Sequence, residues 1–183
     1  RRNSIASPLM SGRVLVSGAT GLIGGQLVER LSGDGISTRC LSRSPSARAG
    51  ESSEPCQWDG VHLPAESLRD CSAVVHLSGE PVFGGPLTAR RRDRILGSRV
   101  ESTRSIASAI EALPADERPK TLICASAVGL YGSRGDALLD ESAAAGSGFL
   151  AEVCKQWESA ALTAVSAGVR VVTLRIGIVL ARN

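Results

Sequence analysis

Three glycines near the start constrain this 183-residue sequence most: Gly18-Ala19-Thr20-Gly21-Leu22-Ile23-Gly24. They follow a short apolar run, Arg13-Val14-Leu15-Val16-Ser17, and precede apolar residues at Leu22, Ile23, Leu27, Val28 and Leu31. The run reads as a buried parallel strand, the spacing after it as a helix closed by Gly33-Asp34-Gly35. Each glycine of such a joint has its own reason. Gly18 permits the tight turn, Gly21 lets backbone approach a pyrophosphate with no Cβ in the way, and Gly24 lets helix pack closely on sheet. The helix start adds free N–H groups and partial positive charge. Gly18, Thr20, Gly21, Leu22, Ile23 and Gly24 therefore form the expected cradle for a dinucleotide. No Gly-Lys-[Ser/Thr] follows, which excludes a kinase-type phosphate loop.

The same alternation continues along the chain. Strands are predicted near 37–42, weakly at 56–58, then at 73–77, 120–125 and 169–174. Helices are predicted over about 86–112, ended by Pro114, and 146–167, with Phe149, Leu150, Val153, Cys154, Trp157, Ala160, Ala161 and Ala164 on one apolar face. Continuously apolar strands alternating with helices point to the α/β class: a doubly wound parallel sheet of the Rossmann type over 12–183. Residues 1–11 read as a tail or linker.

The end of the second strand chooses the cofactor. An acid there would bind a ribose 2′-hydroxyl, but this strand ends Leu41-Ser42-Arg43-Ser44. A guanidinium at Arg43, beside Ser42, suits a 2′-phosphate, so NADP is favoured over NAD. The alternative is a surface arginine.

Composition removes other classes. No apolar run is long enough to span a bilayer, and the N-terminus lacks a signal core. The five cysteines, odd in number and with no C-x-x-C spacing, argue for reduced thiols in a cytoplasmic protein and against a disulfide framework or a zinc knuckle, and no metal is expected. The cluster Arg90, Arg91, Arg92 and Arg94 reads as a solvated helix face. With five aromatic residues in the chain, a base-stacking platform for nucleic acid is not expected. The expected partner is a small-molecule substrate.

Further segments resemble the extended and atypical short-chain dehydrogenases/reductases. Leu77-Ser78-Gly79-Glu80 is similar to their segment beside the cofactor. Ser126-Ala127-Val128-Gly129-Leu130-Tyr131-Gly132 is similar to their S-[AS]-x-x-Y-G segment, and Leu174-Arg175-Ile176-Gly177 to the end of their sixth strand. A narrower resemblance is to the epimerase family loosely termed nucleoside-diphosphate-sugar epimerases. It rests on Ile95-Leu96-Gly97-Ser98-Arg99 with Thr103, Gly148-Phe149-Leu150, Cys154, Trp157-Glu158 and the run through Leu180. The resemblance implies cofactor contacts at Leu77, Ser78, Gly79 and Arg175, and a role for Ser126 on the substrate oxygen. Such proteins usually continue for roughly a hundred residues, so it also implies a substrate lobe that residues 1–183 do not include.

One part of the pattern is missing. The superfamily usually pairs a proton-transferring Tyr with a Lys four residues later on one helix. Here the sole tyrosine is Tyr131, followed four residues later by Gly135, and Leu150 and Cys154 fall where the pair would stand. Tyr131 is then either a replacement acid–base group or a packed loop residue. Ser126 either polarises a substrate oxygen or satisfies backbone. Arg99 is expected to tie loops together rather than anchor substrate. The sequence reads as an NADP-dependent oxidoreductase or epimerase-like protein. The alternative is a non-catalytic NADP(H)-binding regulator or scaffold.

Overall fold

The computed structural model describes residues 12–44 and 52–180. The expected tail at 1–11 lies outside them. Strand β1 (Arg13–Ser17) leads into helix α1 (Leu22–Gly33), then β2 (Thr38–Ser42), β3 (Ser53–Gln57) and β4 (Cys71–His76). Helix α2 (Ala89–Ala112), β5 (Thr121–Ala127), α3 (Phe149–Leu162) and β6 (Arg170–Ile176) complete the order. All six strands pair in parallel in the order β3-β2-β1-β4-β5-β6.

Alternation of side chains across the strands divides the core into two layers. Val14, Val16 and Val75 face α1 and pack on Leu27, Val28, Leu31 and Ile36. Leu15, Leu41, Val74 and Leu122 face the other way, against Ile106 and Ile110 of α2 and Trp157 and Ala161 of α3.

The differences from expectation have local causes. β3 starts earlier than the weak apolar signal at 56–58 because it is an edge strand with mostly exposed side chains. Pro55 is tolerated at such an edge, and Arg39 of β2 meets Glu54 across the ladder at 3.0 Å. α3 begins at Phe149 rather than 146. Gly146 is held by its N–H to the Leu130 carbonyl at 2.8 Å, and Gly148 adopts a left-handed φ of 96°. Three short 3₁₀ turns, Ala65–Leu68, Val128–Tyr131 and Thr163–Ala167, were not anticipated as separate elements.

A buried histidine joins β1, β4 and α2. His76 is fully buried, with Nδ1 2.6 Å from Ser17 Oγ and Nε2 3.1 Å from Ser102 Oγ. The Leu77 N–H donates to Ser17 Oγ, and Ser102 Oγ donates to the Ser98 carbonyl. One neutral tautomer satisfies every group: Ser17 donates to Nδ1, and Nε2–H donates to Ser102. Burial, reinforced by the charge of Arg99, lowers the ring's pKa from 6.5 to about 3.

The unfolded ring takes up a proton that the folded ring refuses. Stability from this site is therefore complete above pH 6.5 and is lost as pH falls towards 3. Urea titrations between about pH 7 and 5 should show stability falling with a slope approaching 1.4 kcal/mol per pH unit. His76→Asn should be less stable and should lose that slope. A wild-type protein equally stable at both ends of the range would contradict a neutral buried ring.

Candidate nucleotide site and adjoining polar network

The strand order reverses between β1 and β4, since β2 lies on one side of β1 and β4 on the other. Crevices for ligands open at such a point, beyond the C-terminal ends of the strands. The glycine loop lies there. Gly18 turns with φ 72°, and a Cβ on it would sit 2.9 Å from the Leu77 carbonyl carbon. A Cβ on Gly24 would collide with the Gly18 carbonyl oxygen, so α1 can approach β1 this closely only with glycine at that position. α1 begins after Gly21 with no side-chain cap and no acid in its first turn, leaving the N–H groups at its start for an anion.

A cavity of about 380 Å³ occupies the crevice. Gly18, Thr20 and Gly21 line it from the loop, Ser42 and Arg43 from the end of β2, and Leu77, Ser78 and Gly79 from the end of β4. Leu22, Ile23 and Gly24 belong to the helix start but do not line it. Trp58 and Asp59 close the side beyond β2. Asp59 accepts from the backbone N–H groups of His62 and Val61, which hold its carboxyl below the usual range. The glycine cradle, the free helix start and the polar rim fit a dinucleotide.

Arg175 is not part of this cavity. It lies on β6 opposite Ser126 of β5 and grips Glu158 of α3 with two hydrogen bonds, Nε–Oε1 and Nη2–Oε2, both 3.0 Å. Its Nη1 donates to the Tyr131 hydroxyl at 2.8 Å and to the Glu141 carbonyl at 2.9 Å. Ser126 Oγ donates to Glu158 Oε1 at 2.6 Å. Ser126 and Tyr131 thus belong to one network, joined through Glu158 and Arg175. Burial raises the Glu158 pKa, but hydrogen bonds from Arg175 and Ser126 together outweigh it and leave the carboxyl below its ordinary value. Tyr131 is 7% exposed and packs with Leu130 and Cys154, its ring 5.2 Å from the Arg175 guanidinium. Asp140 serves the loop by accepting from Ser142.

Arg99 lies between the cavity and this network. Its guanidinium sits under Gly79, donates to the Glu80 and Ile95 carbonyls at 2.9 and 3.1 Å, and stacks 5.1 Å from the Trp157 ring. Burial lowers its pKa, and nearby Cys154 and Glu80 act in the opposite sense. These contacts tie the loop after β4 to α2 and α3. Leu150 and Cys154 share the face of α3 that meets Gly129. Burial pushes the Cys154 thiol up, as it does those of Cys40, Cys71 and Cys124, so none is an activated nucleophile. Glu158 and His76 carry no local sequence signal as site residues, because their partners lie 17 to 59 residues away along the chain, and Ser102 joins the site only through His76.

Strand order, switch-point cavity and glycine turn define a Rossmann-type nucleotide-binding protein. Residues 14–180 match the NAD dependent epimerase/dehydratase family, and the chain belongs to it. It is 38% identical over 175 residues to "Epimerase family protein SDR39U1 homolog, chloroplastic" of Arabidopsis thaliana, covering 93% of this chain and 50% of that protein. Among solved structures, human epimerase family protein SDR39U1 (isoform 2) with NADPH superposes with a TM-score of 0.75 at 30% identity, covering 93% of this chain and 55% of that one. A nucleoside-diphosphate sugar epimerase from Corynebacterium glutamicum gives a TM-score of 0.74 at 32% identity, covering 91% and 34%. The chain spans about half the length of the curated relatives it matches. No helix among the described residues is long and apolar enough to cross a membrane.

The Glu158–Arg175 pair is largely shielded, with side chains 14% and 22% exposed. Glu158→Gln should cost about 2 kcal/mol of stability, as expected for lost charged hydrogen bonds. Arg175→Ala should cost a similar amount, and the double variant clearly less than the sum. Denaturant titration of the four proteins measures this, and additive losses would show that the pair is not coupled.

Proposed function

We propose that this protein is an NADP-dependent oxidoreductase or epimerase-like enzyme of the short-chain dehydrogenase/reductase superfamily, acting on a carbonyl or sugar-nucleotide-like substrate in a reducing, cytoplasmic-type compartment. One observation carries the reading: the glycine cavity receives Arg43 from the end of β2, where an acid would select NAD. Arg43 is exposed and free to bind a 2′-phosphate with its planar fork. The relative crystallised with NADPH supports the same preference.

In this reading the pyrophosphate lies on the loop Gly18–Gly21 and the N–H groups of Leu22 and Ile23, while Leu77, Ser78 and Gly79 bound the cavity across the switch point. When bound, the nicotinamide supplies or accepts hydride. Ser126 orients the substrate oxygen, and Glu158 fixes its hydroxyl. The Tyr131 hydroxyl accepts from Arg175 and keeps its own proton available. Arg175, bonded to both, positions Glu158 and Tyr131.

A second reading is a cofactor-binding protein without turnover. Leu150 and Cys154, an apolar side chain and a protonated thiol, hold the positions where the superfamily's Tyr–Lys pair is expected.

NADPH should raise the thermal midpoint more than NADH does. Arg43→Ala should weaken NADPH binding about tenfold and leave NADH binding nearly unchanged. Protection by NADH alone would overturn the cofactor assignment. Turnover of NADPH with a carbonyl panel should fall sharply in Ser126→Ala and Tyr131→Phe. Turnover unaffected by both would remove the proposed roles, and tight binding with no turnover would favour the second reading.

A further inference from the structure

A second cavity, of about 500 Å³, opens beside the first between the loop 80–88 and the start of α2. Glu80 and Pro81 line both, so the two cavities share a wall. Arg90, Arg91 and Arg94 line the second, and Glu80 is its one acid.

The arginines have different duties. Arg91 shapes the wall, its Nη2 donating to the Pro81 and Val82 carbonyls at 3.3 and 3.0 Å. Arg94 is 3.5 Å from Glu80, with side chains 55% and 37% exposed, a pair too solvated to hold it tightly. Arg90 is exposed, and no hydrogen bond or ion pair holds its guanidinium among the described residues. Arg92, the fourth of the run, turns away to the Leu87 carbonyl and the Phe149 ring. Phe83 stands at the rim, 76% exposed.

Three members of the basic run line a concavity of small-molecule size. We propose that this cavity binds an oxyanion of the substrate, a phosphate or carboxylate, through Arg90 and Arg94, with Phe83 against the body of the molecule. The assignment of that anion to a substrate rests on the function proposed above. The anion site itself does not. An incoming oxyanion exchanges the loose Arg94–Glu80 contact for a charge-assisted hydrogen bond, which costs little and gains more.

Calorimetric titration of the 183-residue chain with inorganic pyrophosphate, and separately with malonate, tests this. At least one anion should bind saturably, weaken with added salt, and bind equally well with NADPH present. Binding of pyrophosphate alone identifies a phosphoryl group, and binding of malonate alone a carboxylate. Arg90→Gln combined with Arg94→Gln should weaken binding about tenfold with little change in thermal midpoint, since both side chains are exposed. Glu80→Gln should tighten it severalfold by freeing Arg94. The proposal is overturned if neither anion binds, if NADPH abolishes binding, or if the double variant binds like the wild type. Failure of NADPH itself to bind would remove the cofactor reading alone, because the difference in anion binding between wild type and the double variant still decides the arginine site.

Discussion

The contact on which the rest depends is the passage of the chain past the end of β4. Gly18 leaves β1 so close to the Leu77 carbonyl that a side chain would not fit between them. That approach sets where α1 starts and points its uncapped N-terminus into the gap where the strand order reverses. Directly beneath, His76 ties Ser17 to Ser102, so the floor of the crevice is fixed by hydrogen bonds from β1, β4 and α2. A charged imidazole would have to shed its hydration there. The neutral ring does not, and it can accept from Ser17 while donating to Ser102. The cradle is built on a group whose usefulness depends on its not ionising.

Two arginines show how the fold handles charge near the site. Arg99 lies against backbone carbonyls and the Trp157 face, which need no carboxylate partner, and burial lowers its pKa. Arg175 takes the opposite course and is held by a bidentate carboxylate, which pushes its pKa up. The first locks the loop that walls the cofactor cavity. The second links β6, α3 and the tyrosine turn. Arg175 therefore spends four of its five donors on the protein, and Arg99 spends two while its flat face lies on Trp157, whereas Arg90 and Arg94 keep theirs largely free.

The parallel sheet and the glycine cavity were legible because their signals are local. An apolar strand, a G-x-x-G-x-x-G turn and a helical apolar stripe lie within about twenty residues, and the same grammar repeats along the chain. β3 was faint because an edge strand needs few apolar side chains. The partners of Arg175 were faint for the converse reason: a motif resemblance carries a residue type to a strand end but does not say which side chains it meets. Glu158 lies 17 residues earlier along the chain, and only the packing of α3 on β6 brings the two together. The His76 latch was equally hidden, since Ser17 is 59 residues from it.

The hydrogen bond from Ser126 to Glu158 bears on what chemistry the site can do. Glu158 is held ionised by Arg175, so the serine must be the donor in that 2.6 Å contact. Its oxygen then has only lone pairs to offer. Under the proposed function, such a serine readily accepts from a substrate hydroxyl. To donate to a carbonyl it must first release Glu158, giving up a charge-assisted bond worth about 1.5–3 kcal/mol. The resting arrangement therefore favours the alcohol side of a hydride transfer over the carbonyl side. In an enzyme with the usual Tyr–Lys pair a phenol would donate to the carbonyl instead. Here neither Leu150 nor Cys154 is a phenol, so Ser126 must release Glu158 before it can donate to a carbonyl.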